Sequence, residues 1–139
     1  MKYLLDTCVI SDFVKGDKHT LSNLKEVEPR EVAISTITVM EIEYGLKLNP
    51  AKAEKIQNVI RELLAAITLL PFGENEAKIA GEIRVKLRQK GSPIGAYDLL
   101  IAATAITHQM VAVTANGKEF ERVPGLEVMN WREPATQVA

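Results

Sequence analysis

Four acidic residues stand where a folded chain could bring them together to do chemistry. Asp98 is the only formally charged side chain between residues 91 and 117. Asp6 closes a short apolar run, and Glu41 and Glu119 come a few residues after two others. A buried carboxylate is costly unless it is paired, hydrogen-bonded or bound to a metal. Four converging carboxylates would repel one another, and a hard cation such as Mg²⁺ or Mn²⁺ is the natural partner for an all-oxygen site.

The elements that would carry these acids alternate between strand and helix. Short β-rich runs predict strands at 2–6, 32–36, 67–72, 110–114 and 126–131. Amphipathic or alanine-rich runs predict helices at 38–47, 51–67, 75–91 and 96–109. This alternation predicts a parallel sheet covered by helices on both faces.

The acids fall near one edge of such a sheet. Asp6 ends the first strand, Glu41 is expected in the first turn of the helix after the second, and Glu119 follows the strand at 110–114. Ligands of parallel sheets bind in the crevice beyond the carboxyl ends of the strands. Asp98 lies near the start of its helix, where unpaired backbone N–H groups partly stabilise a carboxylate.

Each acid also has a purely structural explanation. Glu41 follows Thr38 by three residues, which is the spacing of a helix capping box. Asp98 could be an N3 residue favoured by the helix dipole. Asp6 could cap a loop, and Glu119 could be a solvated charge. The repeated placement at strand ends favours the joint site.

Other residues that could do chemistry have weaker support. Cys8 is predicted to be a small buried residue rather than a nucleophile, because no histidine lies near it in sequence. His19 and His108 have no cysteine or histidine partners at zinc-ligand spacing. The basic residues within 84–90 predict a solvated helix end, with contact to phosphate as the alternative.

Length and composition predict one soluble, cytoplasmic domain without a membrane segment or a signal peptide. The chain has 139 residues and a formal net charge of -1, so a nucleic-acid partner would need a local basic patch. Its single cysteine rules out an internal disulfide. A folded domain over 1–132 and a C-terminal tail over 133–139 are expected.

Four segments, in this order, resemble PIN-domain proteins of the VapC toxin type: "YLLDTCVI", "STITVMEIEYG", "KGSPIGAYDLLIAATA" and "VTANGKEFERVPGLEVMNW". The resemblance runs from Lys2 to Trp131. It implies a three-layer α/β/α fold with a central, mostly parallel sheet, and an endoribonuclease that depends on Mg²⁺ or Mn²⁺. It also implies a cognate VapB-type antitoxin, a homodimer, and contact with operator DNA only through the antitoxin. Several members of the family cut tRNA in the anticodon region.

The resemblance also assigns roles to the acids. Asp6, Glu41 and Asp98 match the family's first three acids. Many PIN domains have an aspartate where Asn116 stands, so the fourth acid is expected to be Glu119. The resemblance thus implies four catalytic acids, of which Asp6, Asp98 and Glu119 hold the metal.

The same comparison suggests how the substrate is held. Thr7 matches a hydroxyl beside the first aspartate, and Asn116 is expected to position water or substrate. Separately from the resemblance, the sequence has few aromatic side chains for base stacking, so phosphate contacts from Lys15, Lys18 and the basic run at 84–90 are expected. The implied products carry a 5′-phosphate and a 3′-hydroxyl.

Three other functions compete with this one. A phosphatase of the haloacid dehalogenase type needs a second aspartate two residues after the first, where Cys8 stands. A receiver-like signalling domain needs adjacent acids at the first strand, which supplies only Asp6. A catalytically idle PIN domain that only binds an antitoxin would have no need for the four acids.

Overall fold

The computed structural model describes residues 1–134, and its centre is a five-stranded sheet with the order β3-β2-β1-β4-β5. All four neighbouring pairs are parallel, which confirms the predicted parallel sheet. The strands are β1 (Tyr3–Leu5), β2 (Val32–Ser35), β3 (Thr68–Leu70), β4 (Val111–Val113) and β5 (Val128–Met129).

Seven α-helices within residues 1–134 surround this sheet, together with a 3₁₀ turn at Pro29–Glu31. They are α1 (Thr7–Lys15), α2 (Lys18–Lys25), α3 (Thr36–Leu48), α4 (Pro50–Ala66), α5 (Glu74–Gln89), α6 (Ala96–Thr107) and α7 (Gly117–Phe120). None of the helices in this part of the chain is both long and apolar enough to cross a membrane.

The core has two parts, one on each face of the sheet. Leu4 of β1 packs in the cluster formed with α5 and α6. Leu5, the next residue, packs in the cluster formed with α1, α3 and α4. Successive strand residues point to opposite faces, so burial of both shows that helices cover both sides. The expected three-layer α/β/α fold is confirmed.

The four predicted helices are present, with small shifts at their ends. Gly91 follows α5 with φ 66°, the left-handed conformation expected of a glycine just past a helix. Helix α3 begins earlier than predicted because the Ser35 side chain accepts a hydrogen bond from the Thr38 N–H at 3.2 Å. Ser35 is therefore the N-cap, and the capping-box explanation for Glu41 is wrong. Glu41 lies in the second turn of α3 rather than the first.

Helices α1, α2 and α7 were not among the sequence-based predictions. All three are short, and α1 contains Val9, Ile10 and Val14, whose branched side chains have lower helix propensity. Asp6 and Asp17 accept hydrogen bonds from backbone N–H groups at the N-termini of α1 and α2. The expected tail at 133–139 lies mostly outside the described residues, so the domain boundary stays a prediction.

Candidate active site

A crevice opens at the carboxyl ends of β1 and β4, where the chain order reverses across the sheet. From β1 the chain proceeds to β2 and β3 on one side, and later returns to β4 on the other. Ligand sites of doubly wound sheets lie at such a switch point. The crevice is lined by Asp6, Thr7, Cys8, Glu41, Asp98, Ala115, Asn116 and Arg132. Three of the four predicted acids therefore line one crevice.

Asp6 is held from two elements at once. It follows β1 and caps α1, where its Oδ1 accepts the Thr7 N–H at 2.6 Å. Its Oδ2 accepts the Thr114 hydroxyl at 2.8 Å, just beyond the end of β4. Asp6 is only 6% exposed, so these bonds replace most of the hydration that its carboxylate loses. The carboxylate is thereby fixed at the floor of the crevice.

Cys8 lies beside Asp6 and is half-buried, whereas a small buried residue was predicted. Its Sγ is 3.4 Å from Asp6 Oδ2 and accepts the Ala115 N–H at 3.3 Å. Burial and the negative charge of Asp6 raise the pKa of the Cys8 thiol to about 11. The thiol is therefore neutral near pH 7, in agreement with the expectation that Cys8 is not a nucleophile.

Glu41 is oriented by Thr7. The Thr7 hydroxyl donates to Glu41 Oε1 at 2.7 Å, and this bond connects the start of α1 with the second turn of α3. Both residues line the crevice. The hydroxyl predicted to position substrate or water thus contacts one of the predicted catalytic acids directly.

Asp98 and Glu119 are joined through Asn116. The Asn116 Nδ2 donates to Asp98 Oδ2 at 3.1 Å and to Glu119 Oε2 at 2.6 Å. Asp98 is the third residue of α6, the N3 position anticipated from the sequence, and Glu119 lies on α7. Glu119, which is not among the residues lining the crevice, is therefore connected to it by one amide group.

The charges of these acids interact strongly. Burial, a hydrogen bond to Glu119 and the negative charge of Asp6 raise the pKa of Asp98 to about 7. Hydrogen bonds from Asp98 and Asn116 lower the pKa of Glu119. The two pKa values thus shift in opposite directions, as expected of neighbouring carboxyl groups that compete for a proton, and a cation would relieve this crowding of acids.

The donor chemistry fits a hard divalent cation, although the ligands are not gathered around one point. Carboxylate and amide oxygens are the ligands that Mg²⁺ and Mn²⁺ prefer. Among residues 1–134, no group of three or more His, Cys, Asp or Glu side chains is arranged to hold an ion. The Asn116 amide nitrogen stands between Asp98 and Glu119, where it satisfies both carboxylates. The metal set of Asp6, Asp98 and Glu119 stays a prediction.

Two residues of the site were missed from the sequence. Thr114 is fully buried, and its hydroxyl donates to Asp6 and accepts the Asn116 N–H at 2.9 Å. A hydroxyl at the end of an apolar strand was a usable signal for it. Arg132 lines the crevice from a segment beyond β5. No motif marks Arg132, because its neighbours in the fold are far away in the sequence.

Known proteins resemble this chain over nearly its whole length. The PIN domain family model matches residues 3–126. The tRNA(fMet)-specific endonuclease VapC of Salmonella typhimurium is 31% identical over 131 residues, which are 94% of this chain and 98% of that protein. Ribonuclease VapC2 of Rickettsia felis is 37% identical over 134 residues, covering 94% and 98% of the two chains.

A solved structure agrees with these relatives. The DNA-bound VapBC complex from Salmonella typhimurium contains a chain that superposes with a TM-score of 0.86 at 33% identity, covering 94% of this chain and 98% of that one. The family model, the full-length relatives and the solved structure thus all indicate the same family. This chain belongs to the PIN-domain family, in its VapC ribonuclease group.

Proposed function

We propose that this protein is a metal-dependent endoribonuclease that acts as the toxin of a VapBC-type toxin–antitoxin pair. Its full-length similarity to VapC ribonucleases supports the activity, and its similarity to a VapBC complex supports the antitoxin partner. The observation that carries the proposal is the meeting of Asp6, Glu41 and Asp98 in one crevice at the switch point of the sheet. We assign the four acids, including Glu119, to catalysis.

The metal is Mg²⁺ or Mn²⁺, with Asp6, Asp98 and Glu119 as its protein ligands. When bound, such an ion makes a water molecule more acidic and stabilises the negative charge that develops during phosphodiester hydrolysis. The raised pKa of Asp98 supports this assignment, because besides burial the negative charges of Asp6 and Glu119 are among its causes and a cation would offset them.

The chain's own side chains organise the reaction around these ligands. Thr7 holds the Glu41 carboxylate in the crevice, and we assign Glu41 to orient the attacking water. Thr114 and the Thr7 N–H fix Asp6 against rotation. Asn116 reaches both Asp98 and Glu119, so we assign its amide to the positioning of water or substrate.

The substrate we propose is tRNA, cut in a single-stranded region such as the anticodon loop. The Salmonella relative is named as a tRNA(fMet)-specific endonuclease. Sequence-specific recognition of RNA mostly targets loops whose bases are not paired. Lys15, Lys18 and the basic run at 84–90 stay the predicted phosphate contacts. Hydrolysis by water would leave a 5′-phosphate and a 3′-hydroxyl.

The partner we propose is a cognate VapB-type antitoxin in the cytoplasm. The similar Salmonella structure is a VapBC complex bound to DNA. As the family resemblance implies, operator DNA would be contacted only through the antitoxin, and the toxin would be a homodimer. The alternative to an active ribonuclease is a catalytically idle PIN domain that only binds the antitoxin. Membership of the PIN family leaves no support for a phosphatase of the haloacid dehalogenase type.

Cleavage of a tRNA pool by the antitoxin-free protein tests the proposed activity. We expect cleavage with Mg²⁺ or Mn²⁺ and none with EDTA. Asp6→Asn and Asp98→Asn should each abolish cleavage and leave the circular dichroism spectrum unchanged, since asparagine is nearly isosteric but a poorer metal ligand. Glu82→Gln, at an exposed position of α5, is the matched control and should cleave normally.

Two results would contradict the proposal. A folded Asp98→Asn protein with full activity would remove Asp98 from the catalytic site. A wild-type protein that binds its antitoxin but cleaves no cellular RNA, with either metal present, would be the idle PIN domain.

A further inference from the structure

Arg132 brings a positive charge into an acidic crevice. Among the described residues that line the crevice, Asp6, Glu41 and Asp98 are acidic and Arg132 is the only basic one. Its side chain is 52% exposed, so part of the guanidinium remains accessible. A polyanionic substrate is repelled by a group of carboxylates unless positive charge compensates them. Arg132 is placed to supply that compensation at the site itself.

The guanidinium is held in a defined orientation by Asp12. Its Nε and Nη2 donate to the two carboxylate oxygens of Asp12 at 2.7 and 3.0 Å. The Asp12 side chain is 9% exposed, so this ion pair is anchored on a buried carboxylate of α1. A bidentate bond uses one edge of the planar group and leaves the other N–H donors pointing away from Asp12. The contact with Asp12 also raises the pKa of Arg132, which keeps the guanidinium charged.

The backbone around Arg132 is fixed separately. The side-chain amide of buried Asn23 donates to the carbonyl oxygens of Trp131 and Glu133 at 3.1 and 2.9 Å. Trp131 is 3% exposed, and its ring lies 5.6 Å from that of Tyr3. Asn130 Oδ1 accepts the Arg132 N–H at 2.9 Å. The C-terminal segment is therefore held by several contacts besides the Arg132–Asp12 ion pair, so a charge at position 132 is not its sole attachment.

We propose that Arg132 binds a phosphate of the RNA substrate beside the scissile bond, and that Asp12 and Asn23 are positioning residues that hold it there. The inference rests on the proposed ribonuclease function. Arginine suits the role because its planar fork can bond one anion along one edge and a second along another. RNA is favoured over the antitoxin as the ligand of Arg132, because a guanidinium binds anions such as phosphate, whereas a basic antitoxin side chain would contact the acids instead.

The test is the binding of bulk tRNA in EDTA, where nothing is cleaved, over a series of salt concentrations. Arg132→Ala should weaken binding about ten-fold at low salt and lower the slope of log K against log salt by about 0.7–0.9, the loss of one phosphate contact. Arg132→Lys keeps the charge and should keep the slope. Arg30→Ala is the matched control, since Arg30 is exposed and precedes β2 at the opposite end of the sheet.

A second variant guards against a folding defect. Arg132→Ala leaves the Asp12 carboxylate buried without its partner, which can destabilise the chain on its own. The double variant Arg132→Ala/Asp12→Asn removes both charges and should show the same reduced slope. In cleavage with Mn²⁺, the double variant should raise KM more than it lowers kcat, as expected for the loss of a binding contact.

The possible failures are distinguishable. If wild-type protein neither binds nor cleaves tRNA, the proposed substrate fails and this inference fails with it. If wild-type protein binds tRNA and the double variant retains its affinity and slope, only the role of Arg132 is overturned. The role is also overturned if the variants bind tRNA normally but lose affinity for the antitoxin, because Arg132 would then serve the protein partner.

Discussion

At the scale of single residues, the Asn116 amide reduces the repulsion between two acids of the site. It donates to both Asp98 and Glu119 and so supplies partial positive charge between two carboxyl groups. Two hydrogen bonds from a neutral amide compensate this charge less completely than a divalent ion would, which agrees with the raised pKa of Asp98. Asp98 and Glu119 are thus held close together, and a bound cation would stabilise their negative charge.

Glu119→Gln tests whether the fourth acid binds the metal. We expect the Mn²⁺ concentration for half-maximal cleavage to rise about 10- to 100-fold, the usual effect of losing an acidic group at or next to a metal. The measurement is a Mn²⁺ titration of tRNA cleavage. Glu121→Gln, an exposed position just past α7, is the control and should leave the midpoint unchanged. A Glu119→Gln midpoint equal to that of wild type would make Glu119 a solvated charge.

Asn116→Asp is the complementary change. It places a third carboxylate beside Asp98 and Glu119, so we expect tighter Mn²⁺ binding and a lower midpoint in the same titration. In the absence of metal the added negative charge should destabilise the folded protein, because like charges at this distance repel. An unchanged midpoint here, together with an unchanged one for Glu119→Gln, would leave a three-acid centre of Asp6, Glu41 and Asp98.

At the scale of elements, the end of β4 holds the floor of the site. The Thr114 hydroxyl donates to Asp6 and accepts from the Asn116 backbone, so one side chain connects the end of β4 with the acid after β1 and the segment before α7. Strand positions this deep in a parallel sheet do not move independently. The geometry of the acids therefore depends on a fully buried residue beneath them.

Thr114→Val should disturb the site without changing its shape. Valine is nearly isosteric but leaves a buried Asp6 oxygen and the Asn116 N–H without this partner, a cost of about 1–3 kcal/mol. We expect lower stability in urea unfolding and weaker tRNA cleavage. Thr114→Ser keeps the hydroxyl and should retain cleavage. If valine cleaves as well as serine, the hydroxyl does not position Asp6.

Glu76 connects α5 to α6 and predicts a dependence of stability on pH. Its Oε2 accepts the Gly73 N–H at 3.1 Å, and its Oε1 lies 3.0 Å from His108 Nε2. Hydrogen bonds from its own backbone N–H, from His108 and from Gly73 lower the pKa of Glu76 below 4.5. A lowered carboxyl pKa stabilises the fold above the unfolded value, and this contribution disappears as the pH falls through the folded value.

The corresponding variant is Glu76→Gln, which cannot titrate. Its loss of unfolding free energy relative to wild type should be largest near pH 7 and should shrink below about pH 4.5. Urea unfolding at pH 7 and pH 3.5 measures this difference. Glu74→Gln, whose exposed side chain pairs with Lys78, should stay within about 0.5 kcal/mol of wild type at both pH values. An equal deficit for Glu76→Gln at both pH values would contradict the assignment.

Some of these elements could be predicted from the sequence and others could not. The strands and the long helices were predictable because both faces of the sheet are buried, so that each strand is an apolar run and each helix has one apolar face. Asp6 and Asp98 followed from their positions in those runs. Helices α1 and α2 escaped because their apolar residues are partly β-branched and their length is short. The pairing of Arg132 with Asp12 escaped because it is a contact between distant segments, which no local pattern encodes.

At the scale of the whole molecule, the crevice combines an acidic floor with one basic side chain at its wall. Asp6 lies deep, whereas Asn116 and Arg132 are exposed at the surface. We expect such a site to bind one of two ligands. The first is a phosphate of RNA together with a metal ion, and the second is a basic side chain that takes the place of the metal. The second would switch the enzyme off, because it would occupy the ligands that the metal requires.

Competition between the metal and the antitoxin follows from this arrangement. If the antitoxin inhibits by directing an arginine or lysine at the acids, Mn²⁺ should raise the Kd of the toxin–antitoxin complex, since two ligands of one site exclude each other by mass action. NaCl at matched ionic strength controls for screening of charges. Asp98→Asn should weaken the complex and reduce its response to Mn²⁺, because the variant lacks one of the contested carboxylates. A Kd that responds neither to Mn²⁺ nor to Asp98→Asn would place the inhibitory contact outside the acids, where the antitoxin would act by covering the path of the RNA to the crevice.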